Sequence, residues 1–243
     1  DRVAYCSGPI GAYAEAHVIK ADRCVTLPDW LASETIAASM LKGLTSQYLI
    51  RQIHRCGPDD TVLFHAGAGG VGQIACQWAR ALGVSLIGTA GSDEKCEIAR
   101  QKGAAHTINY SRENVVERVR EITGGRGVPV VYDGVGKDTF EMSLDCLAPR
   151  GLLATFGNAS GPVTGVDLGI LTQKGSLYVT RPSLMHYVAS DADLAANTAD
   201  VFDAVARGAI SIDINQRYAL SDAKTAHADL ENRKTTGTTI LLP

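Results

Sequence analysis

The stretch Ala66-Gly67-Ala68-Gly69-Gly70-Val71-Gly72 decides the fold of this chain. It follows the apolar run Val62-Leu63-Phe64 and leads into residues 73–82, whose apolar side chains recur at helical spacing. Glycines in such a turn let the backbone approach phosphate groups, and the start of the following helix offers free N–H groups. A strand, a glycine-rich turn and a helix in this order therefore predict a site for the pyrophosphate of a dinucleotide.

The end of the next predicted strand indicates which dinucleotide is bound. The apolar run at 84–89 is followed by Ala90-Gly91-Ser92, with no carboxylate where NAD-binding sites place an Asp or Glu for the ribose hydroxyls. Lys95 follows one helical turn later, and we interpret Asp93 and Glu94 as first-turn acids favoured by the helix dipole. A missing acid and an added cation favour a 2′-phosphate, hence NADPH over NADH. The alternative is that Lys95 is an ordinary exposed lysine.

Composition and charge exclude several classes of protein. The 243 residues are 45% hydrophobic and 20% charged, with a net charge of −3, so no basic surface favours nucleic acid or an anionic membrane. No apolar stretch approaches the length of a membrane span. The six cysteines are widely spaced, without a CxxC pair or a Cys/His cluster at zinc spacing, which indicates thiols in a reducing cytoplasm. We predict no metal: His65 is expected to be buried and hydrogen-bonded, and His106 and His227 have no ligand partner at metal spacing.

Alternating strand and helix patterns run through the middle of the chain. Strands are predicted at 61–66, 84–89, 105–108, 128–132, 151–156 and 176–180, and helices at 70–82, 93–102, 112–123 and 138–147. This alternation predicts an α/β fold with a doubly wound parallel sheet of the Rossmann type.

The two ends of the chain have a different pattern. Residues 1–30 have strand character at 3–6, 11–19 and 24–27, and a helical pattern begins with Ser33 as its cap. After residue 184 we predict a helix at 191–207, short strands at 210–212 and up to Tyr218, a helix from 221 to about 230 and a last strand at 239–242. Since the sequence opens within a strand pattern, we expect further residues to precede Asp1 in a longer protein.

Six motifs in this order resemble the medium-chain dehydrogenase/reductase superfamily, and more closely its zinc-free NADPH:quinone oxidoreductase branch, the relatives of zeta-crystallin. The motifs are Lys42-Gly43-Leu44-Thr45, Leu63-Phe64-His65-Ala66 with the glycine turn, Val131-Tyr132-Asp133-Gly134-Val135-Gly136, and residues 156–161, 171–176 and 178–184. The resemblance implies a remnant of a GroES-like, β-rich substrate domain at 1–43, a Rossmann domain at 44–184 and a return to the substrate domain at 185–243.

The resemblance also implies a set of residues that bind NADPH. It places the pyrophosphate at Gly69, Gly70 and Val71, and the 2′-phosphate near Gly91, Ser92, Lys95, Tyr110 and Arg233. It places Gly134 and Val135 close to the cofactor, with Tyr48 facing it from the helix that links the domains. The nicotinamide side is lined by Phe156, Gly157, Asn158 and Ala159, and a second nicotinamide wall is formed by Ser183, Leu184 and Met185.

Several of these residues have a plain structural alternative. Tyr110 could be a surface aromatic that caps the sheet edge, Arg233 a solvated arginine at a helix end, and Tyr48 a core residue of an amphipathic helix. Asp133 could be taken for a catalytic acid, but a carboxylate after a strand more often accepts backbone N–H bonds in a loop. We predict no catalytic side chain.

The leading functional hypothesis is hydride transfer from NADPH to a quinone or an electron-poor alkene. Quinones accept hydride readily, so no metal or dedicated base is required. The residues at 161–171 are expected to shape a pocket for a planar substrate. One alternative is an enoyl or alkenal reductase of the same superfamily, and another is a non-catalytic NADPH-binding protein with a structural or RNA-regulatory role. Relatives pair through the strand at 175–180, so we expect a homodimer there.

Overall fold

A six-stranded parallel sheet forms the centre of the molecule. The computed structural model describes residues 1–232 and 234–243. The sheet has the order β5-β4-β3-β6-β7-β8, and all neighbours are parallel. Its strands are β3 (Thr61–Phe64), β4 (Ser85–Ala90), β5 (His106–Asn109), β6 (Val128–Asp133), β7 (Leu147–Thr155) and β8 (Tyr178–Thr180). The predicted strands are confirmed, with small shifts at their ends.

Helices cover both faces of this sheet. They connect successive strands as α2 (Gly70–Ala81), α3 (Asp93–Gln101), α4 (Val115–Ile122) and α5 (Phe140–Cys146), and the short α6 (Gly169–Gln173) precedes β8. Along β3, Val62 and Phe64 pack into the same core as Ile74 of α2, whereas Leu63 packs into the opposite core with Val119 of α4. Alternate residues of one strand are thus buried on opposite faces, which confirms the doubly wound α/β fold.

A long helix, α1 (Ser33–Tyr48), continues into a π-helical turn at Leu49–Ile53 and packs against α2 and α8 (Asp191–Ala206). The predicted cap was wrong, because Ser33 is the first helical residue and its hydroxyl accepts a bond from Arg2 Nη2 (3.3 Å). Gly43 does not interrupt the helix. It lies against Val201 of α8, so closely that a Cβ there would come within 2.9 Å of a Val201 methyl.

The amino-terminal segment has less sheet than predicted. Only β1 (Val3–Ala4) and β2 (Val25–Thr26) form there, as an antiparallel pair. The strand predicted at 11–19 is wrong: within the described residues this segment has no strand partner, and Val18 is 90% exposed. An isolated strand is not stable, since its N–H and C=O groups need a neighbouring strand.

The carboxyl-terminal segment folds against both other parts. A four-residue helix, α7 (Leu184–Tyr187), precedes α8, and α9 (Ala223–Glu231) connects β9 (Gln216–Ala219) to the parallel strand β10 (Thr239–Leu242). The strand predicted at 210–212 is wrong, because the Gln77 side chain takes the place of a partner strand. Its Oε1 accepts the Ser211 N–H (2.8 Å) and its Nε2 donates to the Ser211 carbonyl (3.0 Å).

Contacts also join the two ends of the chain, as expected. The Tyr13 hydroxyl lies 3.1 Å from His227 Nε2, and Arg217 Nε donates to Glu34 Oε2 (3.0 Å). The predicted domain boundaries themselves stay a prediction. In the described part of the chain, no helix combines the length and the apolar content needed to cross a bilayer.

Candidate active site

The glycine turn lies at the carboxyl edge of the sheet, between β3 and α2. Ala66 adopts φ +57°, and Gly69 is the N-cap of α2, without a side chain to bond the first N–H groups of the helix. A Cβ on Gly72 would collide with the carbonyl oxygens of Ala66 and Gly67. The turn is therefore compact, and α2 begins directly after it without a side-chain cap, as helices that bind an anion through their first N–H groups do. These features fit a pyrophosphate.

Lys42 of α1 is a site residue that the sequence reasoning missed as such. Its side chain crosses Gly70, where an added Cβ would come 2.8 Å from Lys42 Cδ, and its Nζ donates to Thr238 Oγ1 (3.0 Å). Burial lowers the pKa of Lys42 to about 8. An ammonium group held next to the turn can complement a phosphate. The Lys-Gly-Leu-Thr motif contained this residue, but spacing alone did not indicate that α1 brings it to the turn.

The residues predicted for the 2′-phosphate come together at the end of β4. The Tyr110 side chain lies over Gly91, since a Cβ there would come 2.6 Å from the Tyr110 hydroxyl, and Tyr110 is 55% exposed. Ser92 caps α3 by accepting the Lys95 N–H (3.3 Å), which fixes the backbone that carries the half-buried Lys95 side chain. The structure thus groups four of the five predicted residues. The fifth, Arg233, lies outside the described residues.

Asp93, the first acid after β4, is already paired. Asp93 accepts a bond from Asn109 Nδ2 (2.6 Å) and forms an ion pair with Arg112 Nη1 (2.6 Å). A carboxylate with these two partners is a poor acceptor for ribose hydroxyls. The end of β4 therefore suits a phosphate better than an unmodified ribose.

The loops after β6 and β7 pack closely on each other. A Cβ on Gly134 would come 3.0 Å from Phe156 Cζ, Ala159 N–H donates to the Gly134 carbonyl (3.3 Å), and Ser160 N–H donates to the Val135 carbonyl (2.9 Å). Gly134 and Val135, predicted close to the cofactor, thus form one surface at the carboxyl edge with residues 156–159, which were predicted for the nicotinamide side.

A buried network supports these loops from below. Asp133 accepts the N–H groups of Val135 (2.8 Å) and Gly136 (3.0 Å) and the Ser143 hydroxyl (2.9 Å). His65 is buried and lies within hydrogen-bonding distance of both the Ser143 and the Thr89 hydroxyl. Burial lowers the pKa of His65, and the Asp133 carboxylate partly opposes this. The interpretations of Asp133 as a loop acceptor and of His65 as a buried, hydrogen-bonded residue are confirmed.

Tyr48 lies at the end of α1 and is only 2% exposed. Its ring stacks on that of Tyr187, with the ring centres 4.4 Å apart. Burial raises the pKa of Tyr48 to about 12. Ser183 is the N-cap of α7, Leu184 is buried, and Met185 is 41% exposed. The structure places all of these residues on or next to α7.

A cavity of about 330 Å³ opens beside the nicotinamide loops. Its walls are mainly apolar, and Thr155, Asn158 and Arg181 supply polar groups. Arg181 is itself fixed by the carbonyl oxygens of Thr155 (2.7 Å) and Gly157 (3.2 Å). Residues of the predicted pocket-forming stretch line it, among them Pro162, Val163, Val166, Leu168 and Leu171.

One group of side chains with metal-binding chemistry occurs among the described residues. His54, Cys56 and Asp60 offer ligand atoms within 4.8 Å of one another. They precede β3, at the amino edge of the sheet, whereas the glycine turn lies at the carboxyl edge. The sequence reasoning missed this cluster because it did not consider His54, although Cys56 and Asp60 follow it two and six residues later.

Comparisons with known proteins agree with this geometry. The family model described as zinc-binding dehydrogenase matches residues 70–202, more than half of the chain. A quinone oxidoreductase of Pseudomonas aeruginosa is 60% identical over 243 residues, which are 100% of this chain and 75% of that protein. The chain belongs to the quinone oxidoreductase branch of the medium-chain dehydrogenase/reductase superfamily.

Solved structures of this branch have the same fold. The Escherichia coli quinone oxidoreductase complexed with NADPH superimposes with a TM-score of 0.98 at 53% identity, covering 100% of this chain and 75% of that one. A 2-haloacrylate reductase of Burkholderia is 45% identical, over 100% of this chain and 74% of that protein. The predicted superfamily and branch are confirmed.

Proposed function

We propose that this chain is an NADPH-dependent quinone oxidoreductase that transfers a hydride from NADPH to a quinone. One observation supports this most: after β4, Tyr110 lies over Gly91, Lys95 follows in the first turn of α3, and Asp93 is paired with Arg112 and Asn109. This arrangement selects a 2′-phosphate at the same edge as the glycine turn. Relatives at 53–60% identity are quinone oxidoreductases, and one of them has been solved with NADPH.

The residues of this chain bind and orient the cofactor. Gly69, Gly70 and Val71 would hold the pyrophosphate through backbone N–H groups, with Lys42 as an additional cation. Gly91, Ser92, Lys95 and Tyr110 would hold the 2′-phosphate. NADPH supplies the hydride and therefore the difficult chemistry.

The loops after β6 and β7 would position the nicotinamide. In our proposal, one wall of the nicotinamide site consists of Gly134, Val135 and residues 156–159. Residues 183–185 form the opposite wall. Apolar walls exclude water and keep the acceptor close to the cofactor, so orientation is the main contribution of the protein. We assign no catalytic acid or base, because a quinone needs neither for hydride uptake.

A specific finding favours a second candidate, reduction of an electron-poor alkene. The 45%-identical Burkholderia relative is a 2-haloacrylate reductase, so closely related chains reduce an activated double bond. A quinone and an activated alkene would both accept hydride from the same nicotinamide. The shape and polarity of the substrate pocket determine which of them is reduced faster.

The experiment that separates these candidates measures NADPH oxidation by absorbance with a panel of acceptors. We expect turnover with simple benzoquinones and naphthoquinones to exceed turnover with 2-haloacrylate and α,β-unsaturated ketones by at least about tenfold, which is about 1.4 kcal/mol in transition-state free energy. NADPH binding without oxidation by any acceptor would support the non-catalytic alternative instead. Faster turnover of the alkenes would establish the second candidate.

We also propose that two copies of the chain pair through β8. This strand is the edge of the sheet, with Tyr178 62% and Val179 38% exposed. An exposed apolar edge offers unpaired N–H and C=O groups to a second copy. Light scattering at micromolar concentration should give the mass of a dimer, and Val179→Pro should give a monomer.

The six cysteines are free thiols, which suits our proposal that the protein works in the cytoplasm.

A further inference from the structure

The cluster of His54, Cys56 and Asp60 belongs to neither the nucleotide site nor the proposed substrate pocket. It lies on the short segment between the π-helical turn at the end of α1 and the start of β3. All three residues also lie outside the stretch 70–202 that the family model matches.

The backbone of this segment is well fixed. Cys56 N–H donates to the Ile50 carbonyl (3.0 Å), and Asp60 N–H donates to the Gly57 carbonyl (3.0 Å), which closes a turn that returns Asp60 to Cys56. The Asp60 carbonyl in turn accepts the Ser85 N–H of β4 (2.9 Å). The three side chains are therefore presented by a folded turn and not by a free loop.

The donor atoms are spaced for a small tetrahedral ion. His54 Nε2 lies 3.3 Å from Asp60 Oδ2, and bond lengths to zinc of about 2.0–2.2 Å put nitrogen and oxygen ligands about 3.4 Å apart in a tetrahedron. The Cys56 sulfur lies within 4.8 Å of both atoms, against about 3.6 Å for a zinc-bound pair of sulfur and nitrogen. The sulfur therefore lies close enough for one ion to contact all three donor atoms.

The ring of His54 supplies a second, independent observation at this cluster. Its Nε2 is buried and has no hydrogen-bond partner among the described residues, because the angle to Asp60 does not suit a hydrogen bond. A buried ring nitrogen without a partner is costly. An ion placed between the three side chains would satisfy it.

Neighbouring groups are suited to support metal ligands. The Tyr132 hydroxyl lies 3.2 Å from Cys56 Sγ, so it can donate to a thiolate, and the Gly57 N–H donates to Asp60 Oδ2 (2.9 Å). Such outer contacts orient metal ligands and tune their basicity. A thiolate, a carboxylate and a neutral imidazole together cancel the charge of a divalent cation.

We propose that His54 Nε2, Cys56 Sγ and Asp60 Oδ2 form a binding site for a thiophilic divalent cation, Zn²⁺ in the first place, with a water molecule as the fourth ligand. The thiolate excludes Mg²⁺ and Ca²⁺, which prefer oxygen ligands. The site has a structural role, since it fixes the starts of β3 and β4, the two strands whose far ends carry the glycine turn and the 2′-phosphate pocket.

Metal binding to the reduced 243-residue chain tests this directly. We expect one equivalent of Zn²⁺ to bind in competition with a chromophoric chelator, and Co²⁺ to give a thiolate-to-metal charge-transfer band. At a free Zn²⁺ concentration about a hundredfold above Kd, the melting temperature should rise by roughly 5–10 °C.

Matched variants assign the ligands. His54→Gln, Cys56→Ser and Asp60→Asn should each weaken Zn²⁺ binding by at least about tenfold, and Cys56→Ser should abolish the charge-transfer band. Asp59→Asn removes the neighbouring exposed carboxylate, and Cys24→Ser removes a half-buried thiol elsewhere, so both should bind as the unaltered chain does.

One measurement does not depend on the folding of any variant. In the unaltered chain, Zn²⁺ should slow the alkylation of Cys56, followed by mass spectrometry of its peptide, but not that of Cys24. The proposal is overturned if no stoichiometric Zn²⁺ binds at micromolar concentrations, if the three ligand variants bind as the controls do, or if Cys56 alkylation is unchanged by the metal.

Discussion

Replacing Lys95 by Ala should remove most of the preference for NADPH. The backbone should stay in place, because the Ser92 cap accepts the Lys95 N–H and not its side chain. A hydrogen bond to a charged group contributes about 1.5–3 kcal/mol, and each 1.4 kcal/mol is tenfold in affinity. The Kd for NADPH should therefore rise about 10- to 150-fold, whereas the Kd for NADH should change less than about twofold, since NADH has no 2′-phosphate.

Fluorescence titration of both nucleotides into both proteins measures these constants. Lys224→Ala removes an exposed lysine of α9 and serves as the control for net charge, and Lys95→Arg should keep most of the preference for NADPH. The reasoning is refuted if Lys95→Ala weakens NADPH and NADH equally, or if it leaves NADPH binding as it was.

Three further predictions concern the turn and its surroundings. Gly72→Ala places a Cβ against the Ala66 carbonyl, so we expect a lower melting temperature and loss of NADPH binding by fluorescence; unchanged values would contradict the compact turn. Lys42→Met removes a cation whose pKa burial lowers to about 8, so NADPH should bind about 5- to 50-fold more weakly in the same titration while thermal stability does not fall. Burial lowers the pKa of His65 in the folded state. As the pH falls below about 6.5, the unfolded chain therefore binds a proton at His65 that the folded chain does not, which lowers the free energy of unfolding. Denaturant titrations should therefore show stability lost from about pH 6.5 to pH 5, and less so in His65→Gln; an equal loss in both proteins would contradict this origin.

The central fold could be predicted because its signals are local. β3 and β6 are nearly continuous apolar runs, and strand and helix patterns alternate regularly along this part of the chain, so β3 to β8 were found nearly complete. The wrong predictions concern segments whose secondary structure depends on contacts with residues far away in the sequence. The segment at 11–19 has strand-forming residues but no partner strand among the described residues, and residues 210–212 pair with the Gln77 side chain instead of a strand.

The residues of the candidate site could likewise be predicted only where the signal is local in sequence. The glycine turn and the end of β4 lie close together in sequence, so their chemistry could be inferred from order and spacing. Lys42 could not be placed, because only the packing of α1 on α2 brings its side chain across Gly70. The ion pair between Asp93 and Arg112 could not be predicted from the sequence either, since it depends on how the end of β5 packs next to the start of α3.

The central claim is that this chain passes a hydride from NADPH, selected by its 2′-phosphate, to a quinone. The most direct test compares kcat/KM for NADPH and for NADH at a fixed, saturating concentration of a simple benzoquinone. Our account predicts quinone-dependent oxidation with a ratio of at least about 10 in favour of NADPH. Equal values for the two nucleotides, a preference for NADH, or no quinone-dependent oxidation of NADPH would contradict it.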